Sequence, residues 1–288
     1  MVSVAVNLPG PVAAARLAAL GADVVKVEPP GGDPLQHVAP AYYAELVADQ
    51  DVRTLDLKGD AGRDILDGLL RDADVFLTSS RSAALERLGL GWRDLHRRHP
   101  RLSQVAIVGS PPPDDDLPGH DLVYQAAAGL LVPPLMPTVL VADLAGAERA
   151  VSEALAAVLG RAGTGVGRFC EVSLAVAAQA MAGPLRHGLT TPGGPLGGGL
   201  TAYRIYPAAD GHVALASLEP HFHARLLALL DVPDSREELE RAFRSRPAAA
   251  WQEWAREHDM PLAAVAGPPG NAMGGEATGP PAGGTLEA

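Results

Sequence analysis

The sequence of 288 residues contains a single cysteine, Cys170. One thiol excludes a disulfide within the chain and any zinc site built from several thiolates. Positive charge is also scarce, since 23 lysines and arginines stand against 34 aspartates and glutamates, giving a formal net charge of −11. Because nucleic-acid binding needs a cationic surface, we expect no nucleic-acid partner.

Long apolar runs are missing as well. No stretch of about 20 uninterrupted apolar residues occurs, so the sequence predicts no membrane-spanning helix and no membrane partner. The N-terminal segment carries no basic residues, and Pro9 and Pro11 interrupt its apolar run, so we expect no signal peptide. Together these features predict a soluble, cytoplasmic protein.

The sequence does contain a repeated alternation of strand and helix patterns. Residues 2–6 are typical of a short buried strand, an alanine-rich helix follows from Val12, and residues 22–28 are typical of a second strand. The alternation continues to about residue 110. A strand, a helix and a further strand in this order imply a parallel sheet. Residues 1–110 therefore predict a doubly wound, Rossmann-like α/β fold.

A stretch rich in glycine and proline, residues 190–200, divides the remaining chain. After it, two alternating strands around Asp210-Gly211 predict a hairpin. We therefore predict a large α/β domain over residues 1–189 and a smaller α+β domain over residues 190–266. Residues 267–288 contain almost no large apolar side chains and predict a disordered tail.

Several common catalytic signatures are absent. LPGP, which follows the first strand, lacks the GxGxxG pattern of dinucleotide sites, and its prolines remove N–H groups that a phosphate would use. The sequence also contains no Walker A lysine, no HExxH motif and no GxSxG motif. These motifs therefore identify no reaction.

Seven segments, taken in order, resemble one family. They are GPVAAARLAALGADVVKVEPPGGDP, LDLKGDAGRDIL, RDADVFLTSSRSAALERLGLGWRDLHRRHPRL, PGHDLVYQAAAGLL, VADLAGAERAVSEALAAVLGRAGTGVGRFCEVSL, GGGLTAYRIYPAADGHVALASLEPHF and AAAWQEWAREHDMPLAAV. The family is the class III CoA-transferases (CaiB/BaiF), which also contains the α-methylacyl-CoA racemases. This resemblance implies an enzyme that acts on acyl-CoA thioesters, with CoA bound by the large α/β domain.

The resemblance assigns a role to Asp143 in VADLAG. In the transferases of the family, the matching aspartate attacks the thioester carbonyl and forms a mixed anhydride, which a second carboxylate later resolves. From the residues alone, Asp143 is also expected to be the N-cap of the helix that follows. The two roles are compatible, because a helix N-terminus stabilises a carboxylate.

In the racemases of the family, two groups exchange the α-proton of the thioester. One matches Asp143, and the other matches His120 in Gly-His-Asp, assisted by a glutamate that matches Glu219 in Glu-Pro-His-Phe. Histidine is suited to proton transfer near neutral pH. The structural alternatives are that His120 caps a helix and that Glu219 is a surface residue. Since all three positions are occupied, α-proton transfer is the favoured chemistry.

For CoA itself, the resemblance points to Arg81 near the phosphates, with Arg87 and Lys58 as further candidates. The Gly193–Gly199 run resembles a flexible loop over the site, although a plain linker also explains it. Beyond the coenzyme A of the substrate, the family implies no cofactor and no metal. It does imply an interlocked homodimer.

Three functions stay open at this point. The first is a racemase or epimerase of α-methylacyl-CoA type, and the second is CoA transfer between carboxylic acids through an anhydride on Asp143. The third is a non-catalytic CoA-binding relative. It is suggested by VADQDV, which replaces an Arg/Lys-rich stretch of the family, and by Ser82-Ala83, which replaces Pro-Gly.

Overall fold

The computed structural model describes residues 1–114 and 117–267. The chain divides into two compact units, Met1–Gly183 and a second unit that begins at Pro184. The boundary predicted between residues 189 and 190 lies slightly further along the chain. The predicted disordered tail lies outside the described residues, except for Gly267.

A six-stranded parallel sheet forms the centre of the first unit, in the order β3-β2-β1-β4-β5-β6. Its strands are β1 (Val2–Ser3), β2 (Val25–Glu28), β3 (Asp51–Thr54), β4 (Val75–Thr78), β5 (Ser103–Val108) and β6 (Phe169–Ser173). The predicted α/β class is therefore confirmed. The chain order reverses between β1 and β4, and in open α/β sheets the ligand crevice lies at the carboxyl ends of the strands beside such a reversal.

Ten α-helices lie between Met1 and Arg186 in the described part of the chain. They are α1 (Pro9–Ala19), α2 (Pro34–Val38), α3 (Pro40–Val47), α4 (Asp60–Arg71), α5 (Ser82–Arg87), α6 (Trp92–Arg98), α7 (Asp121–Ala127), α8 (Val141–Thr164), α9 (Leu174–Met181) and α10 (Gly183–Arg186), which crosses the unit boundary. Helix α1 begins before the expected Val12, because proline fits the first helical position, where the N–H needs no helical partner.

Side chains of the strands alternate between two apolar cores, as the pleat of a sheet requires. In β4, Val75 and Leu77 pack into the core that includes the alanines of α1 and α8, whereas Phe76 packs into the core with α4 and α6. Small alanine side chains let α1 and α8 lie close to each other and to the sheet. Burial on both faces explains why β4 is a nearly continuous apolar run in the sequence, whereas the edge strand β3 is exposed and more polar.

The second unit contains an antiparallel sheet in the order β7-β8-β9. Its elements are β7 (Tyr203–Pro207), β8 (His212–Ala216), α11 (Pro220–Leu230), α12 (Arg236–Phe243), α13 (Ala248–Glu257) and β9 (Leu262–Ala264). The hairpin predicted around Asp210-Gly211 is confirmed. In the core, the rings of Phe243 and Trp251 are 5.2 Å apart, and Trp251 Nε1 donates to the Phe243 carbonyl oxygen at 2.7 Å.

The Gly193–Gly199 run is folded tightly onto the residues before it. The N–H of Gly193 donates to the carbonyl oxygen of Gly197 at 3.1 Å, and a Cβ on Gly197 would lie 1.8 Å from the carbonyl oxygen of Thr191. Glycine is required here because only a residue without a side chain permits this close approach. The glycines therefore serve close packing of the backbone in this segment.

Candidate active site

Two cavities open at the carboxyl ends of the parallel strands. The larger, which we call the Lys58 cavity, has a volume of about 750 Å³ and adjoins the ends of β1, β2, β3 and β4. The smaller, the Asp143 cavity, has a volume of about 280 Å³ and lies beyond the ends of β1, β4 and β5. Val6 lines both. They therefore meet beside the reversal between β1 and β4, where this fold places its ligands.

Asp143 is the third residue of α8 and not its N-cap, which is Leu140. The expectation that Asp143 caps this helix is therefore wrong. Its backbone N–H still lacks a helical partner, as in every first turn, and donates instead to Oδ1 of Asp121 at 3.1 Å. This leaves the side chain of Asp143 free to line its cavity.

The pKa of Asp143 is raised from 3.8 to about 6. Burial is the largest cause, followed by the negative charge of Asp121, while His120 acts in the opposite direction. A helix N-terminus favours an ionised carboxylate. Removal of water from the carboxylate and repulsion by Asp121 outweigh that effect. Asp143 therefore changes its charge much closer to neutral pH than an ordinary aspartate does.

Asp121 is a buried side chain that holds two segments together. Besides accepting from the N–H of Asp143, its carboxylate accepts from Nε2 of Gln125. The same nitrogen of Gln125 donates to the carbonyl oxygen of Val139 at 2.9 Å. Asp121 and Gln125 of α7 thus fix the chain on both sides of the start of α8, and with it the position of Asp143.

His120 is the residue immediately before α7, and it lines the Asp143 cavity. It occupies the N-cap position, but its side chain makes no capping hydrogen bond. The imidazole of His120 therefore does not cap the helix. Of the three predicted proton-transfer residues, the structure brings His120 and Asp143 into one cavity.

The three predicted CoA-binding residues are distributed over both cavities. Arg87 and Lys58 line the Lys58 cavity, whereas Arg81 lines the Asp143 cavity. All three are exposed. Two cations therefore border the larger cavity, and a third lines the Asp143 cavity.

Glu219 lies in the second unit, immediately before α11. Its side chain is exposed and makes no capping hydrogen bond. It occupies the N-cap position of α11, and Pro220 is the first residue of that helix.

Three polar residues that line the Asp143 cavity are not predicted from the sequence. Asn7, Ser79 and Tyr124 all line it. Tyr124 could have been found, since it follows His120 by four residues, a spacing that places two residues on one face of a helix. The hydroxyl of Ser79 accepts from the N–H of Val6 at 3.0 Å, a contact between two strand ends that no local pattern reveals.

A buried ionic cluster supports the loop that carries Asn7. Lys26 is fully buried, and its Nζ lies 2.7 Å from Oε1 of Glu28 and 2.8 Å from Oδ2 of Asp33. The other oxygen of Asp33 accepts from the N–H of Asn7 at 3.0 Å. Tyr43 donates to Glu28 at 2.7 Å. Since Asn7 has a left-handed backbone (φ 68°), Asp33 stabilises a turn that the chain would not favour unaided.

Two further observations concern the residues that the structure describes. Among them, no group of three or more histidine, cysteine, aspartate or glutamate side chains has an arrangement fit for a metal ion. Each helix in the described part of the chain is also too short or too polar to cross a bilayer.

Comparison with known proteins gives consistent matches. The profile of CoA-transferase family III matches residues 1–272. The chain is 32% identical over 241 residues to the succinyl-CoA:(R)-benzylsuccinate CoA-transferase subunit BbsE of Thauera aromatica. That alignment covers 73% of this chain and 57% of BbsE. The chain thus spans little more than half the length of this relative.

Solved structures match over most of the chain. The crystal structure of the hypothetical protein Rv3272 from Mycobacterium tuberculosis has a TM-score of 0.79 at 25% identity, covering 92% of this chain and 84% of that one. A CaiB/BaiF family protein from Brucella suis has a TM-score of 0.77 at 22% identity, covering 92% and 82%. The latter match supports the fold alone.

Proposed function

The chain belongs to CoA-transferase family III, and we propose that it transfers coenzyme A from an acyl-CoA to a free carboxylic acid, with Asp143 as the nucleophile. The observation that carries this proposal is the setting of Asp143. It is a carboxylate with a raised pKa, in a cavity beside the reversal of the sheet, anchored through its own N–H by Asp121.

The reaction follows from what this carboxylate can do. A carboxylate oxygen of Asp143 attacks the thioester carbonyl, the C–S bond breaks, and CoA leaves as a thiolate. The thiolate then attacks the Asp143 carbonyl of the resulting anhydride, which releases the first acid and leaves CoA in thioester linkage to Asp143. The incoming carboxylate reverses these steps. CoA ends on the second acid, and Asp143 is restored.

The electrostatics of the cavity suit this role. With a pKa of about 6, Asp143 is mostly ionised at pH 7.5 and so available for attack. Because burial removes much of its water, less solvent must leave when the new bond forms. Arg81 borders the same cavity and supplies positive charge near the developing oxyanion.

We assign the CoA moiety to the Lys58 cavity. Its volume is within the usual range for small-molecule sites, roughly 300–1,000 Å³. Lys58 and Arg87 supply cations for phosphate groups, and Leu55, Leu57 and Leu85 supply apolar walls. Val6 lines both cavities, so they are neighbours, and we assign one extended ligand to the two together.

Incubation with succinyl-CoA, the donor in the name of BbsE, tests the proposal. With [¹⁴C]succinate as acceptor, we expect label in succinyl-CoA. Hydroxylamine should convert the Asp143-linked thioester to a hydroxamate, detectable by peptide mass spectrometry, and should inactivate the enzyme only when succinyl-CoA is present. Asp143→Asn should show neither. Because other acyl groups are open, a panel of acyl-CoA donors completes the test, and the lack of exchange and hydroxamate with every donor would contradict the proposal.

One observation favours a second function, α-proton transfer. His120 and Asp143 line one cavity, as an acid–base pair requires. This reaction incorporates deuterium at the α-carbon of a 2-methylacyl-CoA in deuterated water and forms no adduct on Asp143. Uptake that is lost in Asp143→Ala and His120→Ala, without a hydroxamate, would establish it over transfer. CoA binding without either reaction would indicate a non-catalytic relative.

We further propose that the chain functions as a homodimer. Val132, Leu135 and Met136 expose about 70% of their surface in the connection before α8, and contiguous exposed apolar residues are typical of interaction surfaces. Light scattering coupled to size-exclusion chromatography would give twice the mass of the chain. Substitution of Leu135 and Met136 by Ser should weaken the dimer.

A further inference from the structure

Tyr124 is a buried tyrosine of the Asp143 cavity to which neither the sequence nor the family assigns a role. It lies in the second turn of α7, and only 7% of its surface is exposed. It lines the cavity together with Asp143, His120 and Arg81. Its side chain therefore belongs to the wall that a reacting acyl group would face.

The hydroxyl of Tyr124 is enclosed by two loops that approach it only because they carry glycine. A Cβ on Gly109, which follows β5, would lie 2.2 Å from the hydroxyl oxygen, and a Cβ on Gly119 would lie 2.6 Å from it. Two atoms that are not bonded do not come this close, so neither position accepts a side chain. Glycine at these two positions leaves room for the hydroxyl at this point of the cavity.

No hydrogen bond within the described part of the chain uses this hydroxyl, in contrast to two other buried tyrosines. Tyr43 donates to Glu28 at 2.7 Å, and Tyr206 donates to the carbonyl oxygen of Thr201 at 2.9 Å. Although the residue as a whole is buried, its hydroxyl oxygen is not fully enclosed and borders the open space of the cavity. At the wall of a cavity, a bound ligand is the natural partner.

The surroundings keep the hydroxyl protonated. Burial is the main cause that raises the pKa of Tyr124, and the charge of Asp143 adds to it, while Arg81 acts in the opposite direction. At neutral pH Tyr124 is therefore a hydrogen-bond donor. Beside a carboxylate nucleophile, a donor is useful where negative charge develops on the carbonyl oxygen.

We propose that the Tyr124 hydroxyl donates a hydrogen bond to the acyl carbonyl oxygen of the thioester, and to the oxyanion that forms there when Asp143 attacks. Tyr124 is then a further catalytic residue, and this inference rests on the proposed function. The proton stays on the tyrosine throughout. The stabilisation grows as the carbonyl oxygen gains charge, so the effect falls on kcat more than on KM.

Tyr124→Phe tests this, with Tyr42→Phe as the matched control. Tyr42 is an exposed tyrosine of α3, so its variant removes the same group away from the cavity. We expect kcat of Tyr124→Phe to fall on the order of 10²-fold with KM changed less than about threefold, and Tyr42→Phe to match the wild type. A kcat within twofold of the wild type would overturn the proposal. Failure of Tyr124→Phe to fold would also overturn it, because the hydroxyl would then serve the structure.

A binding measurement separates this inference from the proposed function. The ligands are two unreactive acyl-CoA analogues, a ketone that keeps the acyl carbonyl and a thioether that lacks it. We expect Tyr124→Phe to bind the ketone about five- to tenfold more weakly than the wild type does, and the thioether equally. This difference would support Tyr124 even if the wild type transferred no CoA. Equal affinity of both proteins for the ketone would count against it even in an active enzyme.

Discussion

The carboxylate of Asp121 accepts a hydrogen bond at 3.1 Å from the backbone N–H of Asp143. One carboxylate thereby holds the main chain of another, and its charge raises the pKa of the side chain that it positions. The same contact therefore sets both where Asp143 lies and the pH at which it ionises. These two effects can be separated by substitution.

Asp121→Asn removes the charge and nearly preserves the shape. We expect the pKa of Asp143 to fall, because one of its raising causes is lost, and the pH at which activity appears should fall with it. The side-chain N–H₂ of the new Asn would face Nε2 of Gln125, which is itself a donor, so this hydrogen bond is lost. We therefore expect the free energy of unfolding to fall by about 1–3 kcal/mol. Urea denaturation and the pH–rate profile measure the two effects. An unchanged pH midpoint would show that Asp121 acts only through position.

Asp143→Asn should lower the rate of CoA transfer at least about 10³-fold. It should also stabilise the fold above pH 6. The pKa of Asp143 is raised in the folded state, so its contribution to stability is fully present below the unfolded pKa and is lost as the pH rises through about 6. The neutral amide avoids this loss.

The size of the raised pKa corresponds to about 3 kcal/mol in the free energy of unfolding of Asp143→Asn above pH 6. Because solvent screens a partly exposed carboxylate, we expect an increase of about 1–2 kcal/mol. Thermal unfolding should show a larger stabilisation of Asp143→Asn over the wild type at pH 8 than at pH 5. Asp49→Asn, at an exposed carboxylate, is the control. Equal stability of Asp143→Asn and the wild type at pH 8 would contradict the burial of this carboxylate.

The pH dependence of kcat/KM reports the ionisation of the free enzyme. Because Asp143 must be a carboxylate to attack, transfer should rise with pH to a plateau, with a midpoint of about 6. Below the midpoint it should fall about tenfold per pH unit. Proton exchange between His120 and Asp143 would instead give a bell-shaped profile. A midpoint near 4, the ordinary value of an aspartate, would show that the pKa of Asp143 is not raised.

Lys26→Met tests the buried ionic cluster. Without Nζ, Glu28 and Asp33 would be two buried carboxylates with no cation between them, so we expect a loss of about 3–5 kcal/mol. Arg53→Met removes a cation from an exposed pair with Asp51 and should cost less than about 1 kcal/mol. Chemical denaturation of both variants gives the comparison. A loss below about 1 kcal/mol for Lys26→Met would show that the carboxylates become protonated at little cost.

Lys58→Met and Arg87→Met address the larger cavity. If their cations meet CoA phosphates, each variant should raise KM for the acyl-CoA by about tenfold and leave kcat nearly unchanged. The increase should shrink in high salt. Arg71→Met, at an arginine that lines neither the Lys58 cavity nor the Asp143 cavity, is the control. A changed kcat with constant KM would place these residues elsewhere in the mechanism.

The sequence predicts the first unit well because its central strands are buried on both faces. All four residues of Val75–Thr78 are buried and the first three are apolar, and Asp210-Gly211 marks the hairpin of the second unit. Helices α2 and α3 were not predicted, because Pro34 and Pro40 resemble loop residues although each begins a helix.

The site was harder to predict than the fold. Family motifs identified Asp143 and His120, and the structure brings both to one cavity. The raised pKa of Asp143 depends on its burial and on Asp121, which lies 22 residues earlier in the chain. The place of the Tyr124 hydroxyl depends on two glycines from different loops. Such effects arise from three-dimensional contacts, which periodicity and composition do not encode.

The burial of Lys26 leaves Lys58 as the single accessible lysine, since the whole sequence contains only these two. Amine-reactive dyes would therefore label one side chain, at the edge of the larger cavity. A fluorophore placed there would report the entry of a ligand directly. Conversely, immobilisation through lysine would cover that opening, so sensor-surface measurements on this protein should use a different coupling chemistry.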